Sequence, residues 1–447
     1  MSRTYGPPSE RMSYIRWLLV LWLFVLSAVA YLDRVNISIA GGQIAQEFQI
    51  SNVRLGLVFS SFLWGYGLFQ TLAGTLADRY GPRLMLTAGV LWWGLVSVLT
   101  AAVPRGIGHA VWVFVAIRFL LGAGEAIMYP SSNQFVARWI PSQERGVANG
   151  VIFAGVGIGA GVTPPLISWF MLHYGWRWSF ILSAFVGLAA GIVWYLAARD
   201  NPESHPSLSP AELAAIQNGI PKPAANAPRL AWSGILGSGT VWVLSFAYFC
   251  FGYVAWVFFS WFYLYLAKVR GLDLKSSALY ATLPFLAMAV CSPLGGAASD
   301  ALSKQFGSRI GRSSVAVLGF GLTAIFLVFG SAAHDSRLAS VVLAGGAGSL
   351  YLSQSAFWAV SADIGGKSAG RLSGFMNMAN QIGGALTAIL TPWLGDLFGW
   401  NTGFRAAATV AALGAAAWLF VEPRANLSPS PAASLAPRTF SEQKEPA

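Results

Sequence analysis

Charge is scarce in this chain. Of its 447 residues, 10% are Asp, Glu, Lys or Arg, where a water-soluble domain carries about a quarter. Hydrophobic residues make up 55%, and they fall into a dozen separate runs, which no soluble core needs. There are two cysteines, Cys250 and Cys291, both inside apolar segments, so no disulfide framework is indicated. The four histidines, His109, His173, His205 and His334, fall in loops or at helix ends. Neither metal-ligand spacing nor a nucleophile–base arrangement appears, so no metal, no cofactor and no enzymatic activity are expected. The formal charge is +11, yet no basic run exists, which argues against a nucleic-acid partner. Met1 to Arg16 is polar. The apolar run that begins at Trp17 outlasts a signal peptide and has no small-residue cleavage pattern.

What is present fits a lipid bilayer. A spanning helix needs about 20 mostly apolar residues, and twelve candidates occur, at 17–39, 54–76, 84–103, 110–137, 146–171, 178–198, 240–267, 276–300, 313–332, 338–361, 371–394 and 402–421. The expected fold is all-α and polytopic, two pseudo-symmetric six-helix bundles. A polar segment 1–16 precedes the first bundle, 17–198. A Pro- and Ser-rich linker, 199–237, separates it from the second bundle, 238–422, and 209–218 reads as a short helix within that linker. Residues 423–447 read as a disordered tail. With both termini and the linker inside, 18 of the 28 Lys and Arg lie on the cytoplasmic side and 8 outside; Arg34 and Arg118 lie within the membrane. That bias sets both termini in the cytoplasm.

The halves repeat one another. GTLADRYGPR (74–83) follows the second span and GAASDALSK (296–304) the eighth. Glycine-rich spans that end in proline also recur, GVGIGAGVTPP (155–165) and NQIGGALTAILTP (380–392). Repeated bundles of this kind place a site at their interface near mid-membrane. GVGIGAG permits close helix approach; with no strand before it, it is not a nucleotide loop.

Among the 17 acidic residues, Asp33 and Glu125 fall deep inside spans. Asp33 adjoins Arg34 in AYLDRVNIS, and Glu125 follows Arg118 by seven positions in RFLLGAGEAIMYP. Seven residues are about two helical turns, so Arg118 and Glu125 share a face, roughly 10 Å apart along the axis. A charge at the bilayer centre costs at least ~3 kcal/mol. Such charges turn toward one another, as plain glue between the first and fourth helices, or toward a wet cavity. In a cavity, Arg34 and Arg118 hold a carboxylate through a planar fork, Glu125 loads and releases a proton, and Asp33 assists. Tyr31, Tyr66, Trp358 and Asn380 are the further candidate binding residues; Gln70, Asn133, Gln134, Ser355, Asn377 and Gln381 are polar neighbours in the same spans. At the inner face, Asp78 with Arg79 and Arg83, and Asp300 in the second repeat, read as a gate in which an aspartate accepts from a helix N-terminus of the opposite half.

These residues resemble the major facilitator superfamily over roughly 15–422. GTLADRYGPR resembles its loop signature, with Pro82 at a position where a basic residue is usual. Within it, YLDRVNIS, RFLLGAGEAIMYPSSNQFVARWIPSQERG, WVFFSWFYLYLAKVRG and GRLSGFMNMANQIGG resemble the anion:cation symporter family of sugar-acid and organic-anion carriers. The resemblance implies anion binding and proton coupling by Arg118 and Glu125, with Asp33, Arg34 and Asn380 at matching positions. IMYPSSN, Phe262-Tyr263 and Ala379-Asn380 depart from the family pattern and bear on which acid is carried. The resulting expectation is a proton-coupled importer of a small organic anion, a monomer, in a bacterial inner membrane. Alternatives are an exporter of an acid or drug, a carrier of aromatic acids or dicarboxylates, a transporter-like sensor, and a membrane enzyme.

Overall fold

The computed structural model describes residues 12–50, 52–220, 230–262, 265–272 and 274–423. Lipid offers a backbone no hydrogen bonds, so spanning segments must satisfy their own. The long elements are accordingly all helices. The first half holds α1 (Ile15–Phe48), α2 (Asn52–Tyr80), α3 (Pro82–Ala101), α4 (Ala110–Glu125), α5 (Met128–Trp139), α6 (Arg145–Tyr174) and α7 (Trp176–Ala197). The linker contributes α8 (Pro210–Gly219) and the short α9 (Trp232–Leu236). The second half holds α10 (Gly239–Ser260), α11 (Leu274–Phe306), α12 (Ser308–Ala332), α13 (Ser336–Gly365), α14 (Ala369–Phe398) and α15 (Trp400–Trp418). With α4 and α5 counted as one interrupted span, each half has six. The tail from residue 424 and linker residues 221–229 lie outside the described residues.

Among the described residues, eight spans are apolar enough to be recognised on length and composition alone. Three of the other four, α2, α13 and α14, pack against the opposite half, where polar side chains find partners. Two seams join the halves: α2 lies along α14, and α6 lies along α11.

One feature recurs four times. Consecutive helices α2–α3, α6–α7, α11–α12 and α14–α15 are joined through single glycines, Gly81, Gly175, Gly307 and Gly399, with φ of 88°, 82°, 87° and 83°. Their ψ values, 155° to 166° at the first three and 150° at the last, complete a conformation that is essentially reserved for glycine. Each half is thus two three-helix units built on the same turn.

Two spans differ from the sequence reading. The fourth, expected unbroken over 110–137, stops at Glu125 and restarts at Met128. The seventh, expected over 240–267, is helical to Ser260, and a separate π-type turn covers Tyr265–Val269.

Candidate functional site

The break in the fourth span begins with Pro130. Its missing N–H leaves the carbonyl of Ala126 without the usual partner four residues on. Gln70 Nε2 on α2 donates to that oxygen at 2.9 Å. The chain can therefore turn immediately after Glu125 at membrane depth. Glu125 is fully buried, and its Oε2 accepts from Arg34 Nε of α1 at 2.7 Å. The guanidinium of Arg34 lies over rings of Tyr66 at 4.5 Å, Tyr31 at 4.7 Å, Phe62 at 5.3 Å and Tyr129 at 5.9 Å. A desolvated cation–ring contact contributes about 2 kcal/mol, which helps hold a full charge in the protein interior.

Arg118 takes a different position from the one its spacing implies. It pairs with neither carboxylate within salt-bridge distance; its guanidinium lies over the ring of Phe62, at 4.9 Å. Its Nε and Nη1 are buried without a hydrogen-bond partner. Asp33 is buried too and accepts from Ser97 Oγ at 3.2 Å. With all four ionised, the two acids and two bases sum to zero charge, but their hydrogen-bonding capacity is not filled. Glu125 Oε1 and Arg34 Nη2 are also unpartnered.

A cavity lies between the halves. Of the expected binding residues, Tyr31, Arg34, Tyr66, Trp358 and Asn380 line it; Arg118, Glu125 and Asp33 are buried and do not. Arg34 therefore bridges the cavity and the buried acid. The cavity is small, about 30 Å³, roughly two waters' worth. Trp358 presents a ring rather than a donor, because its Nε1 already donates to Tyr248 Oη at 2.8 Å. Gln354 Nε2 donates to the same oxygen at 2.9 Å. Tyr129, Tyr248 and Gln354 are lining residues that sequence reasoning passes over. The signal for Gln354 was spacing: it stands four residues from Trp358, one turn away on the same face of α13; Tyr129 lies across the helix break from Glu125. Tyr248 carries no such mark.

At the face that bears the linker, the halves are fastened twice in the same manner. Asp78 at the end of α2 accepts from the backbone N–H groups of Gly370 and Arg371, each at 2.9 Å, in the first turn of α14. Asp300 on α11 accepts from Gly146 N at 3.1 Å and Val147 N at 2.7 Å, in the first turn of α6, and pairs with Arg312. Each aspartate meets the positive end of a helix from the opposite half. The glycines four residues earlier, Gly74 and Gly296, make this possible: a methyl group there would run into the carbonyl oxygen of Gly370 or Gly146. Arg145 Nη1 adds an ion pair to Asp363 at 2.5 Å, and Asn133 Nδ2 donates to Ser361 Oγ at 3.0 Å. The expected participation of Arg79 and Arg83 is not what the structure has. Arg79 is exposed beside Tyr80, and Arg83 Nε donates to Tyr195 O at 2.9 Å within its own half. Their places are taken by Arg371, which comes from the helix that supplies the N–H groups to Asp78, and by Arg312 of α12, which pairs with Asp300 from within the same half.

Residues 23–307 and 279–446 match the family described as Major Facilitator Superfamily. A probable sulfoacetate transporter of Cupriavidus necator is 33% identical over 399 residues, covering 88% of this chain and 91% of the relative. A hexuronate transporter of Bacillus subtilis is 29% identical, over 85% of this chain and 89% of that one. Among solved structures, the proton:xylose symporter XylE bound to 6-bromo-6-deoxy-D-glucose superposes with a TM-score of 0.73 at 15% identity, over 92% of this chain and 97% of that one. The paired six-helix bundles, the twin aspartate clamps and these likenesses agree, and the chain belongs to the major facilitator superfamily.

Proposed function

We propose that the protein is a proton-coupled symporter that imports a small organic anion, such as a sugar acid, across a bacterial inner membrane, with the linker face in the cytoplasm. The reading rests on the Arg34–Glu125 ion pair at 2.7 Å, with the cation at the cavity wall and the acid buried. The relatives named for sulfoacetate and hexuronate support an organic acid as cargo.

The pair acts as an exchange device. While Glu125 is ionised, it occupies Arg34. A proton on Glu125 removes that competitor, and the guanidinium turns its free N–H groups to an incoming acid group, which it can meet with two parallel bonds. Proton and anion together leave the buried charge unchanged, so the loaded carrier and the empty carrier are both near neutral. A carrier holding the anion alone, or the proton alone, has an unbalanced charge in a low-dielectric interior, and closure around it is disfavoured. By linkage, the proton raises affinity for the anion as much as the anion raises affinity for the proton. The two bundles would then rock about this site to expose it to either side.

Glu125→Gln tests this in proteoliposomes. The amide cannot titrate and carries no charge. Exchange of anion across the membrane should persist, while accumulation driven by a pH gradient should fall to background. Equal loss of exchange and accumulation would show that Glu125 only holds the fold.

A further inference from the structure

We infer that the cargo has one acid group, and that its remaining body is neutral and hydroxylated. The inference rests on the anion-carrier reading above and narrows it.

The first observation is the charge of the lining. Among the described residues that line the cavity, Arg34 is the one charged side chain. A second carboxylate or sulfonate on the same cargo would face phenols, amides and aromatic rings. An acid group taken from water into such a wall without a cation is penalised by several kcal/mol. The cavity thus has a place for one acid group, at Arg34.

The second observation concerns the wall supplied by the second half. Gln354 on α13 and Gln381 on α14 both line the cavity and are at least nine-tenths buried. Each has an amide oxygen that is buried without a hydrogen-bond partner. Buried amide oxygens are rarely left so, since the unpaired state costs about 1–3 kcal/mol. The side chain of Gln354 cannot simply turn away, because its nitrogen is engaged with Tyr248 Oη, which Trp358 also holds. If the amide of Gln354 is read with O and N exchanged, the unpaired atom becomes a donor. A hydroxyl group serves either arrangement, being donor and acceptor at once. An aliphatic or unsubstituted aromatic body serves neither and would leave one atom of each amide unpaired.

The two halves then divide recognition. The first half supplies the cation for the acid group, and the second reads hydroxyl groups on the body. Of the relatives' namesakes, a hexuronate has this pattern, whereas sulfoacetate carries two acid groups and no hydroxyl.

The purified full chain in detergent can be tested by thermal shift, titrated with gluconate, galactonate, glucuronate, glucarate, hexanoate, benzoate and the neutral polyol sorbitol. At least one hydroxylated monoacid should stabilise the protein at a concentration tenfold or more below that needed of glucarate, hexanoate or benzoate, and sorbitol should have no effect. Gln354→Leu and Gln381→Leu should each weaken the response to that acid at least tenfold and leave the weak response to hexanoate unchanged. Each variant is first melted without ligand, and the wild-type panel stands by itself if one does not fold. A preference for glucarate, hexanoate or benzoate overturns this inference and leaves the anion carrier standing. Failure of all six acids overturns both.

Discussion

Pro130 shows how one missing hydrogen shapes a site. It frees the Ala126 carbonyl, Gln70 takes it at 2.9 Å, and Glu125 ends its helix beside Arg34. Gln70→Leu leaves that oxygen buried and unpaired, at a cost of about 1–3 kcal/mol. Pro130→Ala restores an N–H four residues on. In the double variant the new N–H can serve the orphaned oxygen, so the combined loss of melting temperature should be clearly smaller than the sum of the single losses. Simple additivity would show that Gln70 and Pro130 act on different groups. The buried charges themselves are legible in the sequence, since a charge inside an apolar run must have a reason. Their partners are not. Arg34 finds Glu125 across 91 positions, and Arg118 passes Glu125 by, because the tertiary arrangement of the helices decides who meets whom, and sequence spacing carries no record of it.

Helix ends are where elements are held. The first turn of α1 has no cap of its own: Tyr14 is left-handed, with no side-chain hydrogen bond. The cap comes from the linker. Glu212 of α8 is fully buried and accepts from Ile15 N at 2.9 Å and Arg16 N at 3.2 Å, where a carboxylate suits the helix dipole. The linker helix is visible in the sequence through Ser209 before Pro210, an N-cap followed by proline at the first helical position; its docking on α1 is a tertiary fact and is not. At its far end α1 is held by Glu47, six residues beyond the apolar span Ile15–Gly41. Glu47 accepts from Arg177 Nη1 and Trp176 Nε1 of α7, each at 2.9 Å, and from Arg105 Nε at 3.2 Å. The hydrogen bond from Arg177 is the main reason its carboxyl is held down to about 2, from an ordinary 4.5. A depressed carboxyl stabilises the fold fully above its unfolded value and loses that contribution as pH falls through the folded one. Melting temperature should therefore decline as pH falls from about 4.5 toward 2, and Glu47→Gln should flatten that part of the profile. An unchanged slope would assign the decline to other acids.

On the scale of the whole molecule, the twin clamps make the linker face a two-point closure with internal symmetry. Asp78 and Asp300, 222 positions apart in the numbering, each hold the first turn of a helix from the other half through two backbone N–H groups. The repeat was readable because GTLADRYGPR and GAASDALSK keep aspartate four residues after a glycine. Which cations serve it was not, since Arg371 belongs to the segment its clamp grips and Arg312 to the helix after Asp300's own, and neither to the repeated motif. Asparagine in place of either aspartate keeps the size and loses the charge. Bonds to a charged acceptor are worth about 1.5–3 kcal/mol, so each clamp should lose about 2 kcal/mol, roughly a thirtyfold shift in the closed-to-open ratio. Spin labels at Gln143 and Lys367, exposed positions on opposite halves of that face, would report it in a background with Cys250 and Cys291 replaced by serine. Asp78→Asn with Asp300→Asn should move the distance distribution toward longer separations, and either change alone should move it part of the way. Arg83→Ala, which breaks a contact inside one half, should leave the distribution as it was. If the double variant keeps the wild-type distances, the clamps do not govern closure, and the seams along α2–α14 and α6–α11 hold the face shut by packing alone.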